Sequence, residues 1–174
     1  MKLLLIKSEK PLRVFCSFVF LAFFALAPAP AASETLPNIV GRALDGQLTS
    51  LKRAFENKPT VVNFWWVKCA PCKKELPDLI AKSEAHPDVD FIYVHAETNA
   101  KTKSPYSTQE VAAFLKQRDL VLGKVIIGNT QSRLSAGVEA LPTTLLIDRE
   151  GKVEKKLVGF TEENTAQIKN WLME

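Results

Sequence analysis

The chain has 174 residues, 47% of them hydrophobic and 24% charged, with 3 cysteines and a formal net charge of +4 at pH 7. That charge is concentrated at one end: Lys2, Lys7, Lys10 and Arg13 against Glu9 give residues 1–31 a net +3, leaving +1 for the other 143 of the 174 residues. A nearly neutral remainder makes no case for nucleic-acid binding, and its length suits one domain with a core rather than two.

In chain order, the basic start is followed by an apolar run, Val14 to Ala27, and by the small residues Ala29-Pro30-Ala31. The run is too short to span a bilayer comfortably. Residues 1–31 are therefore predicted to be a cleavable signal peptide rather than a membrane anchor, which implies export and a periplasmic location for residues 32–174. Cys16 is read as a passive residue of that segment, badly placed for lipid attachment.

Asn38 to Leu48 reads as a β-hairpin turning at Asp45-Gly46. Leu51 to Glu56 is predicted as a short helix or turn. An apolar β-branched and aromatic run, Thr60 to Val67, follows as a buried strand. Next comes Cys69-Ala70-Pro71-Cys72, which opens a helix predicted over Ala70 to Glu84 and interrupted by Pro77.

The two thiols of that motif are close enough to form and break one disulfide. Unpaired N–H groups and the positive end of the macrodipole favour a thiolate at a helix start, and Cys69 is the sulfur expected to benefit. Lys68, Lys73 and Lys74 push the same way. Pro71 is tolerated in the first turn because its missing N–H has no partner there. A C-x-x-C pair also occurs in zinc sites, but those normally need a second pair of ligands. Cys16, His86 and His95 show no such spacing, so redox chemistry is favoured and neither a metal nor an organic cofactor is expected. Only Cys69 and Cys72 remain beyond residue 31, so the pair reads as working chemistry rather than a staple.

Beyond the motif the pattern predicts a strand at Val89 to His95, a polar loop at Asn99 to Ser107, and a helix at Thr108 to Arg118 capped by Ser107 or Thr108. A strand at Lys124 to Ile127 and a short helix around Gln131 to Ala136 follow. Leu141-Pro142 then leads into a strand at Thr143 to Ile147. A turn at Asp148 to Gly151, a returning strand at Lys152 to Gly159 and a helix at Glu162 to Leu172 complete the chain. Strands alternating with helices imply an α/β sandwich, a mixed central sheet covered on both faces.

Three blocks of sequence resemble the thioredoxin superfamily and, within it, the exported TlpA/ResA-like thiol-disulfide oxidoreductases. They are Val61-Val62-Asn63-Phe64-Trp65 through Cys72-Lys73-Lys74-Glu75-Leu76-Pro77; Gly137-Val138-Glu139-Ala140-Leu141-Pro142-Thr143-Thr144; and Leu146-Ile147-Asp148-Arg149-Glu150-Gly151. The match runs from about Leu36 to the C-terminus. It implies a thioredoxin-like three-layer sandwich with a central mixed sheet and an N-terminal β-hairpin. It also implies Cys69 as attacking cysteine, Cys72 as resolving cysteine and Pro142 as a cis-proline beside the disulfide. Glu75 matches an acidic residue of several relatives and is expected either to influence proton transfer or to be a solvated helix charge.

The chain departs from the pattern in two places. Asn63 stands where ordinary thioredoxin has a buried Asp, so that proton-handling group is not carried over. Lys68 stands where many relatives have a Trp, while Trp65 and Trp66 are read as packing and His86 and His95 as ordinary surface or structural residues. Ala70 and Pro71 supply no side-chain donor to the cysteines, so a monomer that reduces disulfides of partner proteins is expected; the resemblance implies a membrane electron donor and includes relatives that serve cytochrome c maturation. Two rivals stay open: an oxidase or isomerase of secreted disulfides, and a thioredoxin-fold metal-binding module.

Overall fold

A computed structural model describes residues 35–174 of the chain, within a compact unit spanning Ala32–Glu174. The expected signal peptide and Cys16 lie outside the described residues. Seven strands form one sheet: β1 (Val40–Arg42), β2 (Leu48–Ser50), β3 (Thr60–Trp65), β4 (Asp90–His95), β5 (Lys124–Ile127), β6 (Thr143–Ile147) and β7 (Val153–Val158). Their order across the sheet is β2-β1-β5-β4-β3-β6-β7. The helices are α1 (Leu51–Ala54), α2 (Ala70–Ala85), α3 (Thr108–Lys116), α4 (Thr130–Ser135) and α5 (Glu162–Trp171).

The sheet is mixed, as the alternation predicts. β3, β4 and β5 run parallel, whereas β6 pairs antiparallel with both β3 and β7, and the β1–β2 hairpin pairs antiparallel with β5. The units β3-α2-β4 and β4-α3-β5 advance in the same direction across the sheet. Crossovers of one hand then place α2 and α3 on the same face. Val61, Trp65, Tyr93, Val125 and Leu146 of that face pack with Leu76 and Leu79 of α2, Val111 and Leu115 of α3, and Ile168 and Trp171 of α5. Alternate residues of the same strands, Val62, Phe64, Ile92, Val94, Ile126 and Leu145, face the other way against Leu51 of α1, Ile39, Val138 and Ala136.

All six residues of β3 are buried, as expected of a central strand covered on both faces. Leu76 and Leu79 are fully buried, and each contributes about 2 kcal/mol through removal of apolar surface from water. Pro77 sits inside α2 and offers no N–H to the Lys73 carbonyl, yet the helix continues to Ala85.

Boundaries move where local backbone signals intervene. The strand predicted over Lys152 to Gly159 shortens to β7 because Gly151 and Gly159, at φ of +82° and +85°, turn the chain at both ends. The third helix stops at Lys116, before Asp119 turns to a φ of +52°. Its start is sharp: the Ser107 hydroxyl accepts the Glu110 N–H while the Glu110 carboxylate accepts the Ser107 N–H, a capping box.

Candidate active site

At the carboxyl end of β3, a turn through Trp66, Val67 and Lys68 delivers Cys69 to the N-cap of α2. The Cys69 N–H donates to the Trp66 carbonyl at 3.0 Å, closing that turn. Cys69 and Cys72 form a disulfide with a Cα–Cα separation of 5.3 Å. The two sulfurs are unequally placed. Cys69 is 8% exposed, whereas Cys72 is fully buried. The Cys69 Sγ accepts the Cys72 N–H at 3.2 Å, so one of the helix's orphan donors points at that sulfur.

One layer below, α2 drives Glu75 into the protein. Glu75 is 3% exposed and is not a solvated helix charge. Its carboxylate accepts the Asn63 side-chain amide at 2.9 Å and the Thr144 hydroxyl at 3.3 Å, and the Asn63 amide also donates to the Thr144 Oγ1 at 2.9 Å. The register explains the cluster: Asn63 lies directly opposite Thr144 on β6 and Tyr93 on β4, on the sheet face covered by α2. Burial pushes the Glu75 pKa up from 4.5 to about 7, outweighing the two hydrogen bonds that favour the carboxylate. Asn63, set aside above as a lost proton-handling group, is thus an anchor for one.

Pro142 opens β6, follows a cis peptide bond from Leu141, and is buried. Its carbonyl accepts the Gly159 N–H at 2.8 Å, which ties it to the chain entering α5. Because Thr143 pairs with Phe64 in the antiparallel β3–β6 register, Pro142 lies at the same end of the sheet as the turn that carries Cys69.

Beside the motif lies an aromatic group whose mutual contacts the sequence did not reveal. His95 is fully buried at the end of β4, edge-on to Trp65 with centroids 5.2 Å apart and 4.8 Å from the Tyr106 ring. Neither imidazole nitrogen has a hydrogen-bond partner in the protein, and burial lowers the pKa from 6.5 to about 4. His95 is therefore a structural residue and not a surface one. His86 ends α2 as its C-cap. Trp66 is half-buried, and besides packing its indole N–H donates to the Tyr106 hydroxyl at 3.3 Å. Tyr106 also lines a cavity of about 540 Å³ whose walls include Val40, Arg42, Leu48 and Gln109.

A second polar group braces the loop that leads to Pro142. Arg133 donates to Glu97 through Nε at 3.0 Å and through a terminal nitrogen at 2.7 Å, and to the carbonyls of Val138 and Glu139 at 2.8 and 2.9 Å. The remaining Glu97 oxygen accepts the Thr130 hydroxyl at 2.6 Å. The end of β4 and the segment before Leu141-Pro142 are thereby joined through α4.

Among the described residues, no group of three or more His, Cys, Asp and Glu side chains is arranged to hold a metal ion. The chemistry on offer is a pair of sulfurs that accepts or releases two electrons and, three positions further along α2, a buried carboxyl group poised near neutrality.

Comparison with known proteins agrees with this chemistry. The family model described as Redoxin matches residues 30–172. The thiol-disulfide oxidoreductase ResA of Bacillus cereus is 31% identical over 160 residues, covering 88% of this chain and 84% of its own. The crystal structure of StoA from Bacillus subtilis shares the fold with a TM-score of 0.58 at 24% identity, over 82% of this chain and 98% of that one. A thiol:disulfide interchange protein of the thioredoxin family from Chlorobium tepidum does so with a TM-score of 0.62 at 21% identity, over 83% and 97%. The chain belongs to the Redoxin family, as a thiol-disulfide oxidoreductase of the ResA and StoA type built on the thioredoxin-like fold.

Proposed function

We propose that the chain works as a periplasmic reductant of partner-protein disulfides, with Cys69 attacking and Cys72 resolving. The observation that carries this reading is the unequal placement of the two sulfurs, Cys69 at the N-cap and 8% exposed, Cys72 fully buried. In the reduced protein the helix start favours the Cys69 thiolate. That thiolate attacks one sulfur of a partner disulfide; a mixed disulfide forms and the other partner sulfur leaves as a thiolate. Cys72, once deprotonated, attacks the Cys69 sulfur and expels the second partner thiolate. Two electrons pass to the partner, and the Cys69–Cys72 bond remains.

Glu75 supports the second step. It follows Cys72 by three positions, on a neighbouring face of α2, and its pKa of about 7 lets it accept or return a proton near neutral pH. Pro142 has no N–H to offer a partner, and in this reading Leu141 beside it presents backbone groups to an extended segment of the client.

Residues 1–31 supply export as a cleavable signal peptide, and residues 32–174 work as a monomer. Ala70 and Pro71 give the cysteines no side-chain donor of the kind that stabilises the reduced form of a strong oxidant, which supports the reducing direction. A membrane carrier fed from the cytoplasm recharges the pair. The ResA-type resemblance supports cytochrome c maturation as the setting, with an apocytochrome as client.

The test is the reduction potential, measured by equilibration with glutathione or dithiothreitol. A value nearer to the roughly −270 mV of thioredoxin than to the roughly −120 mV of a strong periplasmic oxidant supports the reductant. The opposite result assigns the protein to disulfide formation or isomerisation. Tight zinc binding by the reduced protein, abolished in Cys72→Ala, favours the metal-binding module.

A further inference from the structure

The first turn of α2 is charged the wrong way for a helix. Negative side chains are favoured near a helix N-terminus and cations near its C-terminus. α2 has no acidic residue in its first turn. Instead Lys68 stands just before the N-cap and Lys73 and Lys74 just after the motif, with Lys68 and Lys74 exposed and Lys73 half-buried. Among the described residues, ion pairs join Glu56 with Lys58 and Lys124, Asp78 with Lys82, Asp90 with Lys124, and Glu97 with Arg133. The three lysines at the motif take part in none of these. The nearest acid along the helix, Glu75, faces inward to Asn63 and Thr144 and leaves the surface charge unbalanced. Its raised pKa removes part of its negative charge at neutral pH as well.

Exposed acids also stand at this end of the sheet. Glu139 precedes Leu141-Pro142, and Glu162 and Glu163 open α5, which the Gly159 to Pro142 hydrogen bond ties to the same end of the sheet. The Pro142 side thus carries both signs, since Arg133 donates to the Glu139 carbonyl and Lys156 to the Gly137 carbonyl, whereas the cations at the start of α2 have no paired acid among the described residues. Crowding uncompensated cations onto a positive helix end lowers stability. It also creates a field that attracts anions to the attacking sulfur.

We propose that the Lys68, Lys73 and Lys74 face is a docking surface for proteins whose target disulfide is flanked by carboxylates. This inference rests on Cys69 being the attacking sulfur. Partner carboxylates settle on the α2 side, against Lys68, Lys73 and Lys74. Complementary charge of this kind raises the encounter rate more than it deepens the bound state. The chemistry is unchanged: the Cys69 thiolate displaces one sulfur of the client disulfide, Cys72 displaces the other, and the client gains two electrons.

The test uses the reduced protein and three small disulfides: dianionic dithiodipropionate, neutral hydroxyethyl disulfide and dicationic cystamine. Each rate constant is divided by that of the same disulfide with a free model thiol, to remove intrinsic reactivity. At low salt the normalised rate for the dianion should exceed that for the dication by about tenfold, a gap that narrows towards one in about 1 M salt, where the screening length is only about 3 Å. Lys68→Glu combined with Lys74→Glu should invert the order of the two charged disulfides, each rate being taken relative to that of the neutral disulfide with the same variant. Equal normalised rates for the two charged disulfides, or a preference that salt does not weaken, overturns the docking face, while reaction of Cys72→Ala with the neutral disulfide still reports attack by Cys69. No reaction with the neutral disulfide overturns the reading of Cys69 itself.

Discussion

The side-chain amide of Asn63 donates to the Glu75 carboxylate at 2.9 Å, joining the middle of β3 to α2 twelve positions later. The bond lowers the cost of a buried negative charge without abolishing it. Burial still dominates, which is why the carboxyl titrates near neutrality and not near 4.5.

Replacing Asn63 by Ala removes that donor and should raise the Glu75 pKa further. A hydrogen bond to a charged group contributes about 1.5 to 3 kcal/mol, or about one to two pH units. Carboxylate titration followed by NMR or infrared spectroscopy reads the shift. A midpoint that stays at about 7 means Asn63 does not tune Glu75.

Two buried titrating residues, Glu75 and His95, give opposite pH dependences of stability between the acid range and neutrality. The Glu75 pKa rises from 4.5 to about 7, mainly through burial, with Asp78 adding to the rise and Lys82 opposing it. Its contribution is fully present below pH 4.5 and is lost as pH rises through about 7. His95 falls from 6.5 to about 4, again mainly through burial, with Glu97 and Glu110 opposing. Its contribution is present above pH 6.5 and is lost as pH falls through about 4. Between about pH 4.5 and 6.5 each group has a slope of at most about 1.4 kcal/mol per pH unit, and the two oppose. The oxidised wild type should therefore show a flat stability across this window. Glu75→Gln should become more stable as pH rises, and His95→Phe should become less stable. Urea midpoints at three pH values decide the matter, and parallel curves for all three proteins would contradict it.

Much of the fold is legible because it is written locally. Asp45-Gly46 marks the hairpin turn, and Gly46 has the positive φ, +86°, that such a turn requires. The Cys69 to Cys72 spacing and the apolar run before it place the motif at a strand-to-helix junction without any knowledge of the rest. The polar groups around the motif are another matter. Asn63 and Thr144 lie 81 positions apart, and Trp66 and Tyr106 lie 40 apart. Only the strand register and the placement of the Asn99 to Ser107 loop bring them together. Alternation along β3 does put Asn63 on the same face as Trp65, but nothing in the sequence says that Glu75 turns towards that face.

Arg133 should matter for stability and for the loop before Pro142. It is 12% exposed at its side chain against 18% for Glu97, and it also satisfies two carbonyls. Removing one partner of a mostly buried ion pair costs about 3 to 5 kcal/mol, so Arg133→Ala should lose about 3 kcal/mol. Arg133→Lys keeps the charge but not the planar fork, and should lose less than Ala but more than 1 kcal/mol, roughly. Chemical denaturation measures both. Equal stability of Lys and Arg would show that charge alone holds the loop.

The most direct test of thiol-disulfide exchange through an attacking Cys69 is to trap it. Reduced Cys72→Ala is mixed with a peptide bearing one internal disulfide and analysed by mass spectrometry without reductant. The account predicts a one-to-one adduct through Cys69, released by dithiothreitol, whereas Cys69→Ala under the same conditions forms little or none. An adduct formed as fast through Cys72 in the Cys69→Ala protein, or none in either variant, would contradict the assignment.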